Sequence, residues 1–158
     1  GIAELIVHGR TKVDGYRPPA RWAWIDRVRA AVDIPIIANG EVWTVEDFAR
    51  CQQETGCADI MLGRGAVADP LLARRVRGEA VGGWEEILPG IADYWRGIRV
   101  KVVPMHAGGR LKQWLAMLRR NYPEAELLYQ RLRPIKAAQD IEAALIAEGI
   151  LVELPLAA

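Results

Sequence analysis

Three short apolar runs constrain the fold of this chain more strongly than any other feature of its sequence. They span residues 3–7, 35–38 and 59–62, and each is apolar at most positions rather than strictly alternating. Runs of this length favour strands that are buried on both faces, as in parallel sheets. The segments between them have helical patterns, so the chain up to about Gly78 predicts repeated strand–helix units with right-handed crossovers.

Helix signals lie between these runs and after the last one. The apolar spacing predicts helices over 22–32 and 44–55, and a further helix that starts at Asp69 and the proline after it. The helix over 44–55 opens with Thr44 in a capping-box-like pattern and is followed by Gly56, a residue typical of helix C-termini.

The strand signal disappears from about position 82 onward, and helical patterns continue. Four helices are predicted there, over 84–100, 110–122, 123–133 and 140–148. Pro89 lies inside the first of them, where a proline kinks or splits a helix. The patterns together predict an α/β segment over residues 1–80, followed by a small all-α bundle domain over 81–158.

Composition and cysteine usage exclude several classes of protein. The 158 residues are 51% hydrophobic and 26% charged, which is ordinary for a globular protein, and no apolar run reaches the roughly 18 residues that a membrane span needs. Cys51 and Cys57 are too few for a disulfide scaffold, so we expect a reducing, cytoplasmic location and a structural role for both. The sequence has no spacing typical of a metal site, and we expect none.

Charge is unevenly distributed along the chain. Residues 96–136 hold ten basic and two acidic residues, a net charge of +8, whereas the rest of the chain carries −7. A basic helical segment of this kind favours a polyanionic partner such as a nucleic acid. A solvated helix surface without a partner is the alternative interpretation.

Each predicted strand is followed by a polar loop that contains glycine, and these loops hold the candidate site residues. The loops are His8-Gly9-Arg10-Thr11, Asn39-Gly40-Glu41 and Gly63-Arg64-Gly65-Ala66. The carboxyl ends of parallel strands meet at one edge, where ligands bind. Glycine and a following helix N-terminus favour an anion there, and Arg64 can pair with phosphate. Two such loops after the last two strands match the phosphate site of (β/α)8 barrels; tight turns that need glycine for backbone reasons are the alternative.

The three loops, in this order and spacing, resemble the second half of a tRNA-dihydrouridine synthase. The segments 110–115 and 119–122 resemble the helical C-terminal domain of the same family, and the bacterial C-type enzymes are the most similar members. The resemblance extends from Glu4 to about Ile146. It implies an FMN-dependent TIM-barrel enzyme that reduces a uridine of the tRNA D-loop to dihydrouridine, at position 16 in C-type members, with NADPH as the reductant. Residues 1–80 would be the C-terminal part of the barrel, and residues 81–158 the tRNA-binding domain.

The resemblance also implies a role for individual residues. The residues that would bind FMN, with the last two on its phosphate and the first beside flavin and substrate, are His8, Asn39, Gly40, Glu41, Gly63 and Arg64. The residues that would face tRNA, mostly through its phosphates, are Arg110, Lys112, Arg119 and Arg120.

The sequence departs from the family in one large respect. The proton-donating cysteine of the family and several flavin ligands lie in the first part of the barrel, and Cys51 and Cys57 do not match that cysteine's motif. With about three of eight strands present, we expect a fragment that is inactive alone, binds FMN weakly or not at all, and lies beside its missing N-terminal half or self-associates. Two alternatives remain: a stand-alone RNA-binding module, or part of another FMN- or phosphate-binding TIM-barrel oxidoreductase.

Overall fold

The computed structural model describes residues 1–15 and 17–152. The chain divides into two compact units, a first unit from Gly1 to Ala80 and a second unit from Val81 onward. Residues 153–158, which belong to the predicted tRNA-binding domain, lie outside the described residues. No helix in the described ranges is both long enough and apolar enough to cross a membrane.

A small parallel sheet forms the centre of the first unit. Its three strands, in spatial order, are β1 (Leu5–His8), β2 (Ile36–Asn39) and β3 (Ile60–Met61). His8 pairs with Asn39, and Asn39 pairs with Met61, so the three strands end at the same level. The parallel sheet predicted from the apolar runs is confirmed. In the described residues it is open at β1, where Leu5 and Ile6 are exposed, and this is consistent with part of a barrel.

Four helices follow or connect these strands. They are α1 (Trp22–Arg29), α2 (Val45–Thr55), α3 (Arg64–Ala68) and α4 (Leu72–Val76). The predicted end of the first helix at position 32 is wrong, because the chain leaves α1 early to enter β2 through Pro35, which restricts the residue before it to extended conformations. The short α3 was not predicted, and α4 begins later than Asp69, whose carboxylate instead accepts the N–H of Leu71 in the preceding turn.

The ends of α2 confirm the capping signals. Thr44 Oγ1 accepts the N–H of Asp47 at 3.1 Å, and the Asp47 carboxylate accepts the N–H of Trp43 at 3.1 Å. Gly56 has a left-handed backbone with φ of 63° and donates its N–H to the carbonyl of Gln52. These contacts fix the point at which α2 begins, directly after the turn that follows β2.

The core of the first unit lies between the sheet and the first two helices. Its buried residues are Trp22, Ile25, Ile36, Ala38, Val42, Cys51 and Cys57. Burial raises the pKa of the Cys51 thiol to about 11, and the neighbouring Cys57 adds to this effect. Both thiols therefore act as small apolar core groups.

The second unit contains helices only, within the described residues. They are α5 (Trp84–Lys101), α6 (Pro104–Leu118), α7 (Pro123–Leu132) and α8 (Ala138–Ala147). Helix α6 packs against the other three, and its buried residues Leu111, Leu115 and Leu118 are fully enclosed. Helix α5 continues through Pro89 without a break. The predicted start of α6 at Arg110 is wrong, because the helix begins at Pro104 and includes two glycines.

These two adjacent glycines of α6 offer a matched test of its packing. A Cβ on Gly108 would lie 2.4 Å from Cδ1 of the buried Ile141 in α8, whereas a Cβ on Gly109 would meet nothing within 4 Å. We expect Gly109→Ala to raise the free energy of unfolding by about 0.5–1 kcal/mol, because alanine favours the helix. Gly108→Ala should lower it by about 1–3 kcal/mol through overpacking. Denaturant unfolding measures both, and equal effects would contradict the described packing of α6 on α8.

Candidate functional site

A cleft of about 340 Å³ opens where the three strands of the first unit end. Its walls are the turns that follow β1, β2 and β3, as the common level of the strand ends requires. It brings together all the residues that the resemblance assigned to FMN, namely His8, Asn39, Gly40, Glu41, Gly63 and Arg64. It also includes residues that the sequence analysis gave no role, namely Arg10, Val42, Trp43, Met61 and Gly65.

His8, the last residue of β1, has a defined orientation in this cleft. Its Nδ1 accepts the backbone N–H of Arg10 at 3.1 Å, while the side chain is exposed. A neutral imidazole has one donor and one acceptor nitrogen, so the acceptor role of Nδ1 leaves the proton on Nε2. His8 therefore presents an N–H donor to a bound molecule.

Arg10 is a buried cation at the edge of the cleft. Its side chain is 1% exposed and forms an ion pair with Glu41, and its Nε donates to the carbonyl of Arg17 at 2.8 Å. Burial lowers the pKa of the Arg10 guanidinium from its ordinary value, the positive charge of Arg64 lowers it further, and Asp14 acts in the opposite direction. A charged residue three positions after a predicted strand was the available signal for Arg10.

The turn after β2 is held by groups that lie behind it. Gly40 and Glu41 both have positive φ angles, of 133° and 61°. The Gly40 carbonyl accepts the indole N–H of the buried Trp22 at 2.8 Å. Glu41 Oε2 accepts the backbone N–H of Ala20 at 3.1 Å. Asn39 Nδ2 lies 3.3 Å from the sulfur of Met61 across the strand ends. The turn is thus fixed from its buried side, and its other side borders the cleft.

The turn after β3 contains two glycines with different surroundings. A Cβ on Gly63 would meet nothing within 4 Å, so the backbone there is open to a ligand. A Cβ on Gly65 would lie 2.1 Å from the carbonyl oxygen of Val42, so only glycine allows this close approach to the turn after β2. Arg64, between them, lies over the ring of Trp43 at 5.2 Å.

The groups around the cleft fit a phosphorylated ligand. Arg64 lies close enough to Arg10 to lower its pKa, and an anion bound beside two like charges reduces their repulsion. The open backbone at Gly63 permits close approach, and His8 adds a donor. The helix that follows the turn after β3 begins directly after Gly63, as expected, but it has only five residues, so the Arg64 side chain is the stronger source of positive charge at this turn. The described residues contain no group of side chains suited to a metal ion.

The predicted RNA-facing residues all lie on or after α6, but their environments differ. Arg110, Arg119 and Arg120 are exposed. Arg119 pairs with Glu126 at 3.2 Å and lies over the ring of Tyr129. Lys112 is half-buried, and its ammonium donates to the backbone carbonyls of residues 133 and 135, just after α7. Burial lowers the pKa of Lys112. Its ammonium therefore stabilises the end of α7. It is engaged there and is less available for a contact with RNA phosphate than the sequence predicted.

The basic segment is also partly neutralised by acidic residues from outside it. Arg96 pairs with Asp93 at 2.8 Å and Arg99 with Glu142 at 3.4 Å. Arg131 forms an ion pair with Glu148. Each of these acids lies beyond the 96–136 segment, so the local charge of the folded surface is lower than the net charge of the segment indicates.

Comparison with known proteins agrees with the resemblance seen in the three loops. A family model described as dihydrouridine synthase (Dus) matches residues 1–130. A tRNA-dihydrouridine(16) synthase from Cupriavidus necator is 47% identical over 155 residues, which cover 95% of this chain and 48% of that protein. Proteins of the same name from Aquipseudomonas alcaligenes and Pseudomonas syringae pv. tomato are 49% and 50% identical over 139 residues, which cover 84% of this chain and 44% of each.

These matches confirm the resemblance and also define its extent. The chain spans about half the length of the curated relatives that it matches. The family model covers most of the chain, including both the three loops of the cleft and the segment that contains α6. On these grounds the chain belongs to the dihydrouridine synthase family.

Proposed function

We propose that this chain is the part of an FMN-dependent tRNA-dihydrouridine synthase that holds the phosphate of FMN and contacts the tRNA. The whole protein would reduce a D-loop uridine, at position 16, with NADPH as the reductant, in the cytoplasm where tRNA is processed. The observation that carries this proposal is the cleft, because its three turns supply a histidine donor, an open glycine backbone and an arginine at one edge of the sheet. The names of the relatives support the choice of tRNA and of position 16.

The residues of the cleft would divide the binding of FMN between them. Arg64 and the backbone at Gly63 would hold the phosphate, which needs a cation and close backbone approach. His8 would donate from Nε2 to an acceptor on the flavin or the uracil ring. When bound, the flavin would supply the hydride that reduces the uracil C5–C6 bond.

The proton for this reduction would come from a residue outside the present chain. Cys51 and Cys57 are buried in the core of the first unit, and the raised pKa of Cys51, about 11, makes its thiol a weaker acid than an ordinary cysteine. We therefore propose that the chain alone does not form dihydrouridine and that its function requires the remainder of a full-length synthase.

The contact with tRNA would be made by the exposed bases of α6 and the turn after it. Arg110, Arg119 and Arg120 are exposed and suited to phosphate contacts, which position an RNA without reading its sequence. Lys112 would contact an RNA phosphate only if its ammonium first gave up its hydrogen bonds to the carbonyls after α7.

Activity is best tested by placing the chain in a full-length relative. In this chimaera, the present sequence replaces the matched segment of the Cupriavidus necator protein. We expect the purified chimaera to bind flavin and to form dihydrouridine at position 16 of an unmodified tRNA transcript, detected by mass spectrometry of nuclease fragments. The 158-residue chain alone should form none under the same conditions. Product at another position would contradict the assignment of the site, and product from the chain alone would contradict the requirement for the remainder.

The two glycines after β3 separate ligand binding from folding. We expect Gly65→Ala to lower the free energy of unfolding by several kcal/mol, about 3 or more, because a Cβ 2.1 Å from a backbone oxygen forces the two turns apart. Gly63→Ala, with nothing within 4 Å, should leave the thermal unfolding of the chain nearly unchanged. In the chimaera it should weaken the binding of FMN and leave riboflavin, which has no phosphate, unaffected. Equal loss of both ligands would show that Gly63 does not face the phosphate.

The RNA surface can be tested by the salt dependence of tRNA binding. We expect the combined Arg119→Ala and Arg120→Ala substitutions to weaken binding for any tRNA sequence and to reduce the slope of log affinity against log salt by about 0.7–0.9 per lost phosphate contact. Arg96→Ala is the matched control, because Arg96 is exposed and, like Arg119, pairs with an acidic residue, but it lies on α5. An unchanged slope in the double variant, or an equal change in the control, would show that Arg119 and Arg120 do not contact the RNA.

A further inference from the structure

Glu41 has a backbone conformation that its residue type rarely adopts. Its φ of 61° lies in the left-handed region, where glycine is free of the steric cost that a Cβ imposes. Gly40, directly before it, is also in a positive-φ conformation, so the turn after β2 contains two such residues in succession. A strained residue of this kind persists only where the surrounding contacts hold it. The contacts of the Glu41 side chain therefore indicate why this backbone conformation is maintained.

The Glu41 carboxylate is directed towards Arg10. It forms an ion pair with the Arg10 guanidinium and accepts the backbone N–H of Ala20. The Arg10 side chain is 1% exposed and the Glu41 side chain 24% exposed. Among the residues that the structure describes, Nη1 of Arg10 has no hydrogen-bond acceptor. Glu41 is thus the acid in direct contact with this buried positive charge, and removal of either partner leaves the other without its counter-charge.

Arg10 connects the two turns that carry most of the cleft's polar groups. Its backbone N–H donates to His8 Nδ1 at 3.1 Å and so determines which nitrogen of His8 is the donor. Its Nε donates to the carbonyl of Arg17 at 2.8 Å, further along the loop after β1. Its terminal nitrogen reaches Glu41 in the turn after β2.

We infer that Arg10 is a positioning residue of the flavin site: its guanidinium holds the Glu41 carboxylate, and with it the turn after β2, while its backbone N–H holds His8 in the Nε2–H form. The inference rests on the proposed function of the cleft. Both residues border the cleft, but the Arg10 side chain is 1% exposed and the Glu41 carboxylate is paired with it, so on this inference neither contacts the ligand. Asn39 and the backbone of Gly40 would then face the ligand from this turn, and Arg64 would supply the positive charge. This differs from the role that the family resemblance suggested for Glu41, which was direct contact with FMN.

A double-mutant cycle distinguishes the two roles of Glu41. If the Glu41 carboxylate contacts FMN independently of Arg10, Glu41→Gln and Arg10→Met weaken binding separately, and their effects multiply. If the carboxylate acts through Arg10, each single substitution in the chimaera should raise the dissociation constant of FMN about tenfold, and the double variant should be no worse than the worse single variant. The double variant also removes both charges together, so it avoids an uncompensated buried charge and preserves the fold. Multiplying effects in the cycle would overturn the inference.

Glu41→Gly tests the backbone and the carboxylate separately. Glycine adopts the left-handed conformation without strain, so this variant can keep the backbone conformation of the turn but loses the ion pair with Arg10. We expect it to weaken FMN as much as Glu41→Gln does. Wild-type affinity in Glu41→Gly would show that only the turn conformation matters and would overturn the role of the ion pair.

Amide hydrogen exchange in the chain itself tests the inference without any ligand. Arg10→Met should speed exchange at the amides of residues 39–43, because the turn loses the ion pair between Glu41 and the buried Arg10 side chain. The matched control is Arg29→Met, which removes an arginine whose Nε donates to the Thr55 carbonyl at 2.9 Å and which pairs with Asp26, away from the cleft. The control should lower the melting temperature without selective exchange at 39–43. Equal exchange in both variants would overturn the positioning role, whereas failure of the wild-type chimaera to bind FMN, with selective exchange intact, would count against the proposed function alone.

Discussion

The register of the three parallel strands is the constraint on which the site depends. His8, Asn39 and Met61 are neighbours across the sheet, so β1, β2 and β3 end at one level and the turns that follow them meet. A slip of one residue in either pairing would reverse the faces of a strand and move its turn out of the cleft. The buried face of β2, with Ile36 and Ala38 packed under the first two helices, resists such a slip because it would expose these side chains. Core packing and ligand geometry therefore depend on the same pairing.

The turns of the cleft are fixed by contacts with the core and with one another. These contacts leave the surface that borders the cleft available to a ligand. Trp22 is a core residue of α1, yet its indole N–H holds the Gly40 carbonyl, so the packing of one helix fixes the backbone of a loop. Gly65 has the same effect between the second and third turns, because its missing side chain allows contact with Val42. A site that is preorganised in this way loses little conformational entropy when a ligand binds. The open space at Gly63 contrasts with these tight contacts and would give the proposed phosphate room to approach the backbone.

Much of this arrangement could be predicted from sequence, and the exceptions have physical reasons. Continuous apolar runs identified the strands, and the capping pattern at Thr44 identified the start of α2, because both signals are local. The early start of α6 at Pro104 could not be predicted, since Gly108 and its neighbour disfavour a helix locally, and only the approach of Ile141 from α8 explains the first of them. The pairing of Arg10 with Glu41 depends on two loops that are distant in sequence. Such contacts follow from the strand register, which no single loop encodes.

The charge of the second unit also depends on contacts that the sequence does not show, and these contacts decide which bases are available to bind RNA. A count along the sequence gives every base in 96–136 equal weight. In the folded unit, Arg96, Arg99 and Arg131 are engaged by acids that lie outside that segment, and Lys112 is engaged by carbonyls after α7. An engaged base must break an existing contact before it binds a phosphate, so its net contribution to RNA affinity is smaller than that of an exposed base. A cationic surface is therefore better located from exposed arginines whose contacts are weak, such as Arg110 at the middle of α6, which donates a long hydrogen bond of 3.4 Å to Gln113.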